Sequence, residues 1–277
     1  MRIDSHQHFW HFDPIRDTWI TNEMQILKKD YLPKDLLPLL KENNLDGCIA
    51  VQADQTLAET EFLLRLADEN EFIKAVVGWV DLRADNIADQ LKTFSSHKKL
   101  KGFRHIVQSE SDERFLLRDP FCNGISLLKN YGFTYDILVY PHQLEQVIDF
   151  IEKFPDQPFV LDHMGKPDIE NKKSWDWENA LKEIASHENV YCKISGLVTE
   201  ADINDWNLKD FKLYIDFVLK KFGTDRVMFG SDWPVCLLGA DFREVCEILE
   251  SNTSYLTNEE KQKLWGGNAA TFYGLHT

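Results

Sequence analysis

The chain repeats one unit: a short apolar run, a turn, then a longer stretch with apolar residues three or four positions apart. Apolar runs fall at 2–5, 47–52, 73–80, 100–104, 133–139, 158–162, 190–194 and 226–230. Several are continuous and rich in Val, Ile and Phe, as expected for strands buried on both faces of a parallel sheet. The stretches 36–43, 60–70, 87–94, 125–131, 144–154, 177–187, 211–222 and 242–249 carry helical spacing. Asn70, Asn130, Gly132 and Gly223 sit where helices would stop. Strand–helix alternation predicts a mixed α/β fold with a parallel sheet. Eight such units in 277 residues predict a (β/α)8 TIM barrel, a single domain over 1–277, rather than an open sheet. No Gly-x-Gly-x-x-Gly follows the first run, which argues against a dinucleotide-binding fold.

Two stretches exceed a minimal unit. Residues 9–30 are rich in aromatic and charged side chains, and 108–120 are polar and charged. In a barrel the loops after the strands form the face that carries chemistry. Both are therefore expected as walls or lids over the C-terminal face of the barrel.

Charge narrows the partners. A formal net charge of −15 disfavours nucleic acid, whose phosphates would be repelled. No apolar run is long enough to span a bilayer. The first run begins almost at Met1 with no apolar segment before it, so no secretory leader is expected. The five cysteines are scattered and contain no Cys-x-x-Cys. Cys48, Cys192 and Cys236 read as small buried hydrophobes, and the pattern suits a reducing cytoplasm.

If the barrel forms, the C-terminal ends of its strands converge. They would bring together His6 and His8, Gln52 and Asp54, Trp79 and Asp81, and Arg104 and His105. Asp136, Tyr140 and His142 follow, then His163, Lys193 with Ser195, and Asp232 with Trp233. So many polar and aromatic groups at one rim point to an enzyme. Strand periodicity of two places Asp4, His6 and His8 on one face and Ile3 on the other. Adjacent imidazoles on a strand suit a metal or a carbonyl oxygen. Asp232 suits a base that activates water, or the N-cap of a helix. Arg104 suits recognition of a carbonyl or hydroxyls, or an ion pair. Lys193 reads as an inward ion pair or a substrate contact, and His105 and His142 as participants or bystanders. His11, His97, His187 and His276 read as surface residues. Trp10, Trp19, Trp79 and Trp233 each sit in or just after a motif expected at the mouth.

Five motifs carry a resemblance. They are Asp-Ser-His-Gln-His-Phe-Trp at 4–10, Gly-Phe-Arg-His at 102–105, Leu-Asp-His-Met-Gly-Lys-Pro at 161–167, Lys-Ile-Ser-Gly-Leu at 193–197 and Phe-Gly-Ser-Asp-Trp-Pro at 229–234. In this order they resemble the amidohydrolase superfamily, and within it the sugar-lactonase branch. The resemblance implies a (β/α)8 barrel that hydrolyses a cyclic ester. It implies Asp232, His163 and Arg104 as catalytic residues, and Trp10, Trp79, His105, Lys193 and Trp233 as substrate contacts. It implies His6, His8, His163 and Asp232 as a single metal site for Zn²⁺ or another divalent ion, with metal-independent action left open. The lysine or glutamate that bridges two metals, and the further histidine of binuclear members, have no counterpart here, so two metals are not expected. The expected partner is a small-molecule sugar lactone, with neither nucleic acid nor membrane, and assembly as a homodimer is left open. Two other readings remain: a single-zinc decarboxylase of the aminocarboxymuconate-semialdehyde type, and a non-catalytic barrel that binds a sugar or a protein.

Overall fold

The computed structural model describes residues 1–275. Strands β1 Ile3–Gln7, β2 Gly47–Val51, β3 Ile73–Gly78, β4 Leu100–Ile106, β5 Thr134–Leu138, β6 Phe159–Leu161, β7 Val190–Ile194 and β8 Val227–Phe229 run in chain order. Each pairs in parallel with the next in one eight-stranded sheet. Helices α1 Pro33–Glu42, α2 Leu57–Glu69, α3 Ile87–Phe94, α4 Asp119–Leu128, α5 Leu144–Glu152, α6 Trp175–Ile184 and α7 Lys212–Phe222 lie between them. After β8 come α8 Phe242–Asn252, α9 Asn258–Gln262 and α10 Asn268–Phe272. The seam between β1 and the end of β8 closes through two backbone hydrogen bonds. The Asp232 N–H donates to the His6 carbonyl at 2.8 Å, and the His8 N–H donates to the Trp233 carbonyl at 2.7 Å. The chain is a (β/α)8 TIM barrel, and its closure fixes two of the expected site residues side by side. Among the described residues no helix is long and apolar enough to cross a membrane. His276 lies outside the described residues.

Local chemistry sets the helix starts. Thr56 caps α2, its hydroxyl accepting from the Glu59 N–H. Pro33 opens α1, where its fixed φ and missing N–H cost nothing. The helix expected over 125–131 begins earlier, at Asp119, with Pro120 in its first turn. Residues 119–120 had been placed in the preceding loop because that stretch is polar, yet a polar first turn faces solvent here.

The inside of the barrel has two levels. Ile3, Ile49, Val51, Ala75, Val77, Val160 and Met228 fill the lower one. Ala269, Phe272 and Tyr273 join them from the C-terminal segment and close the bottom. A second, larger apolar layer lies between the sheet and the helices.

Strand β1 departs from simple alternation. Its register against β2 shifts between Asp4 and Gln7, with Asp4 opposite Cys48 and Gln7 opposite Ala50. Ile3 therefore faces the lumen, whereas strict alternation placed it outside. The irregularity inserts one residue and lets His6 face inward above Ile3. Asp4 does not join the two histidines. Its carboxylate accepts from the Ser231 N–H at 2.8 Å and from the Ser231 hydroxyl, tying β1 to the end of β8. Burial pushes the Asp4 carboxyl up to about 7, against the hydrogen bonds from Ser231.

Candidate active site

The upper lumen is built from the ends of β1, β4, β5, β6, β7 and β8. His6 and His8 come from β1 and the residue after it, with Nε2 atoms 3.2 Å apart. Gly230 makes room for His6: a Cβ there would stand 2.6 Å from the His6 Cβ. Asp232 turns inward at φ 57°, and its Oδ1 lies 3.3 Å from His8 Nε2, 3.8 Å from His6 Nε2 and 3.9 Å from His163 Nε2. His163 and its neighbour Asp162 both reach the site although adjacent strand residues should point apart. The chain achieves this by entering a left-handed turn at His163, with φ 53°.

The ring orientations are set by the opposite nitrogens. His8 Nδ1 lies 2.8 Å from the Val51 carbonyl, an acceptor only, so it carries the proton and Nε2 presents a lone pair. His163 Nδ1 meets the Ser195 hydroxyl at 2.8 Å. Asp162 Oδ1 and Lys193 Nζ flank His6 Nδ1 at 3.4 and 3.2 Å, so either tautomer of His6 finds a partner. Burial lowers the His6 and His163 pKa values well below the ordinary histidine value, which keeps both rings neutral near pH 7. Burial opposes ionisation of Asp232, but His163, His8 and Lys166 outweigh it and hold the carboxyl below its ordinary value. The site thus offers an ionised carboxylate beside neutral imidazoles.

These atoms fit one divalent metal. Metal–nitrogen and metal–oxygen bonds of about 2.0–2.2 Å in a tetrahedron give ligand–ligand edges of roughly 3.4 Å. The His6–His8, His6–Asp232 and His8–Asp232 spacings bracket that edge, whereas His163 touches this group only through Asp232 and otherwise clusters with His6 and Asp162. The Nε2 atoms of His6 and His8 face each other, that of His6 also meeting Arg104 Nη1 at 3.1 Å, and their Nδ1 partners are those expected of metal-bound imidazoles. A second ion beside Asp162 does not fit. Arg104 lies 3.0 Å from Asp162, Lys193 lies 3.1 Å from the same carboxylate and 2.6 Å from Asp136, and all four side chains are buried. Two fixed cations already occupy that carboxylate-lined space. Burial opposes the charge on Asp162, but Lys193, His6 and Arg104 hold it ionised.

The structure brings His6, His8, His163 and Asp232 to one point and sets Arg104 and Lys193 beneath them. The Arg104 guanidinium is committed to Asp162, the Gln52 side chain and the His6 edge. Trp79 is half-buried at the rim, its indole N–H donating to His105 Nδ1 at 3.2 Å. His105 itself packs flat on Phe115 and bonds Glu110, in the layer beneath the 108–120 loop. Trp10 and Trp233 are not brought to the mouth. Trp10 is 3% exposed, donates to the Lys29 carbonyl and packs on Tyr31. Trp233 is 1% exposed, between Phe9 and Tyr31. Both secure the long loop after β1, because the seam hydrogen bonds hold the backbone at Trp233 and turn its indole outward into the apolar layer. Sequence reasoning missed Asp162, whose only signal was its place before His163 at a strand end. It also missed Tyr273, whose hydroxyl donates to Asp136 Oδ2 at 2.9 Å from the C-terminal segment.

The site sets one carboxylate, Asp232, among three imidazoles at the C-terminal end of the barrel. The sequence profile of the amidohydrolase family, described as Amidohydrolase, matches residues 3–275, and the chain belongs to that family. It is 43% identical over 286 residues to an L-fucono-1,5-lactonase of Burkholderia multivorans, covering 99% of this chain and 96% of that protein. An L-fucono-1,5-lactonase of Burkholderia ambifaria is 33% identical, with 99% and 96% covered. A crystal structure of a Burkholderia multivorans amidohydrolase with bound zinc superposes with a TM-score of 0.97 at 42% identity, covering 100% of both chains.

Proposed function

We propose that the chain is a carboxylic-ester hydrolase that opens a sugar-acid lactone, with L-fucono-1,5-lactone the first substrate to test. The observation that carries this reading is the Asp232 carboxylate within 4 Å of the Nε2 atoms of His6, His8 and His163. Full-length relatives named for lactone hydrolysis supply the substrate class.

Asp232 accepts a proton from water as the water oxygen bonds to the lactone carbonyl carbon, and the carbonyl π electrons move onto its oxygen. As the tetrahedral adduct collapses, the bond to the ring oxygen breaks and Asp232 returns its proton there. The product is an open hydroxy acid. His163 faces the developing oxyanion, and the Ser195 hydroxyl on its Nδ1 can donate, which leaves the ring proton on Nε2. His6, His8 and Asp232 would hold a divalent metal, which when bound supplies Lewis-acid polarisation of the carbonyl, while His163 keeps its proton for the oxyanion. Arg104 and Lys193 act through His6 and Asp162 rather than on the lactone. A decarboxylase would need an arginine free to grip its substrate carboxylate, and Arg104 is already committed. The catalytic groups also leave a purely binding barrel unfavoured.

A pH-indicator assay over L-fucono-, L-rhamnono- and D-galactono-lactones tests the reading. Strong turnover of a lactone is expected; rates no higher than spontaneous hydrolysis on the whole panel would sink it. Metal analysis of the purified protein is expected to find about one divalent ion per chain, and chelation to lower Tm, since a ligand of the native state stabilises it.

A further inference from the structure

The mechanism uses only the first residue of the turn after β6. His163, Met164, Gly165 and Lys166 all have positive φ, at 53°, 54°, 68° and 54°. Left-handed backbone costs non-glycine residues roughly 1–2 kcal/mol each and is visited singly rather than in runs. Strain of this kind persists where the surrounding structure imposes it, often at a functional site. The first residue of the turn delivers His163. The last delivers Lys166, which directly precedes Pro167.

Lys166 Nζ stands 3.3 Å from Glu200 Oε1 and 5.2 Å from the centre of the Tyr140 ring. Tyr140, Lys166 and Glu200 come from the loops after β5, β6 and β7, so three adjacent strand ends meet there. The Lys166 and Glu200 side chains are 15% and 19% exposed, closed in yet still reached by solvent. The Lys166 N–H donates to the His163 carbonyl at 2.8 Å, which holds the pair beside the reacting histidine. Burial raises the Glu200 carboxyl, as expected for a mouth that sheds water.

We propose that Lys166 and Glu200 are the specificity-determining pair of the pocket, gripping neighbouring ring hydroxyls of a neutral polyhydroxylated lactone. Lys166 donates to one hydroxyl oxygen and Glu200 accepts from the next hydroxyl, while Tyr140 steadies the ammonium. This rests on the lactonase reading and deepens it. The chemistry selects among lactones: a carboxylated ring would meet the Glu200 charge, and a bare ring would gain no bond from the pair, which stays bonded to itself.

The test compares L-fucono-1,5-lactone with δ-valerolactone, a bare six-membered lactone, for wild type, Lys166→Met and Glu200→Gln. Each variant is expected to lose about 10- to 100-fold in kcat/KM on the hydroxylated lactone, the usual size of a lost bond to a charged group, with the loss in KM. On the bare ring kcat/KM should stay within about twofold, because the reacting carbonyl is untouched. Lys166→Arg should recover part of the loss. Equal losses on both substrates, a loss confined to kcat, or no loss on either would overturn the proposal. Glu200→Gln keeps the shape of the side chain and carries the test if Lys166→Met disturbs the turn. If wild type hydrolyses neither of these nor any lactone of the panel above, the lactonase reading itself fails and the proposal falls with it, an outcome distinct from the rest.

Discussion

The lower and upper halves of the barrel lumen are made from the same strands and share almost nothing chemically. Below, Ile3, Val160 and Met228 pack into an apolar plug closed by Phe272. Above, on the same β1, β6 and β8 and the residues that follow them, stand His6, Asp162 and Asp232. The lower half gains stability by removing apolar area from water. The upper half buries two carboxylate–cation pairs, which stabilise little by themselves but become expensive when one member is lost. One sheet therefore separates folding from chemistry along its length, in the way that barrel enzymes place their sites at the C-terminal ends of the strands.

The largest test of that division is Lys193→Met. It leaves Asp136 and Asp162 facing each other without their shared cation, and the expected loss is about 3–5 kcal/mol by denaturant unfolding. A variant as stable as wild type would mean that the network is solvated or protonated and that the upper half does not depend on charge pairing. Next is Asp232→Asn. Its kcat should fall at least ~100-fold, about 2.7 kcal/mol in barrier, with a drop in Tm no larger than chelation of the wild type causes. Near wild-type turnover would remove Asp232 as the base. The smallest effect is expected below. Ile49→Val should cost about 0.5–1.5 kcal/mol of stability and leave kcat within about twofold. A large loss of kcat from that change would show the two halves to be coupled.

Much of the architecture was legible along the chain. Buried parallel strands need continuous apolar runs and outer helices need amphipathic spacing, so the eight units and their order could be read directly. The paired histidines were legible because they lie on or just past one strand, and Asp232 because an apolar run leads straight to it. Helix boundaries were less so, as the early start of α4 at Asp119 shows. Asp4 misled because one register shift in β1 changes which residues face inward, and nothing in residues 3–8 announces it. Trp10 and Trp233 misled because an aromatic beside a site motif reads the same whether it lines the mouth or locks the loop behind it. The Lys166–Glu200 pair was not legible either, since 34 positions separate two residues that only the barrel brings together.

The sequence by itself determined the barrel, its strand order and the family, because hydrophobic periodicity and short motifs are local properties. Only the tertiary structure decided which charges pair. Arg104 meets Asp162 across 58 positions, and Tyr273 meets Asp136 across 137. A buried ion pair is a statement about distance and the exclusion of water, and neither exists until the barrel closes.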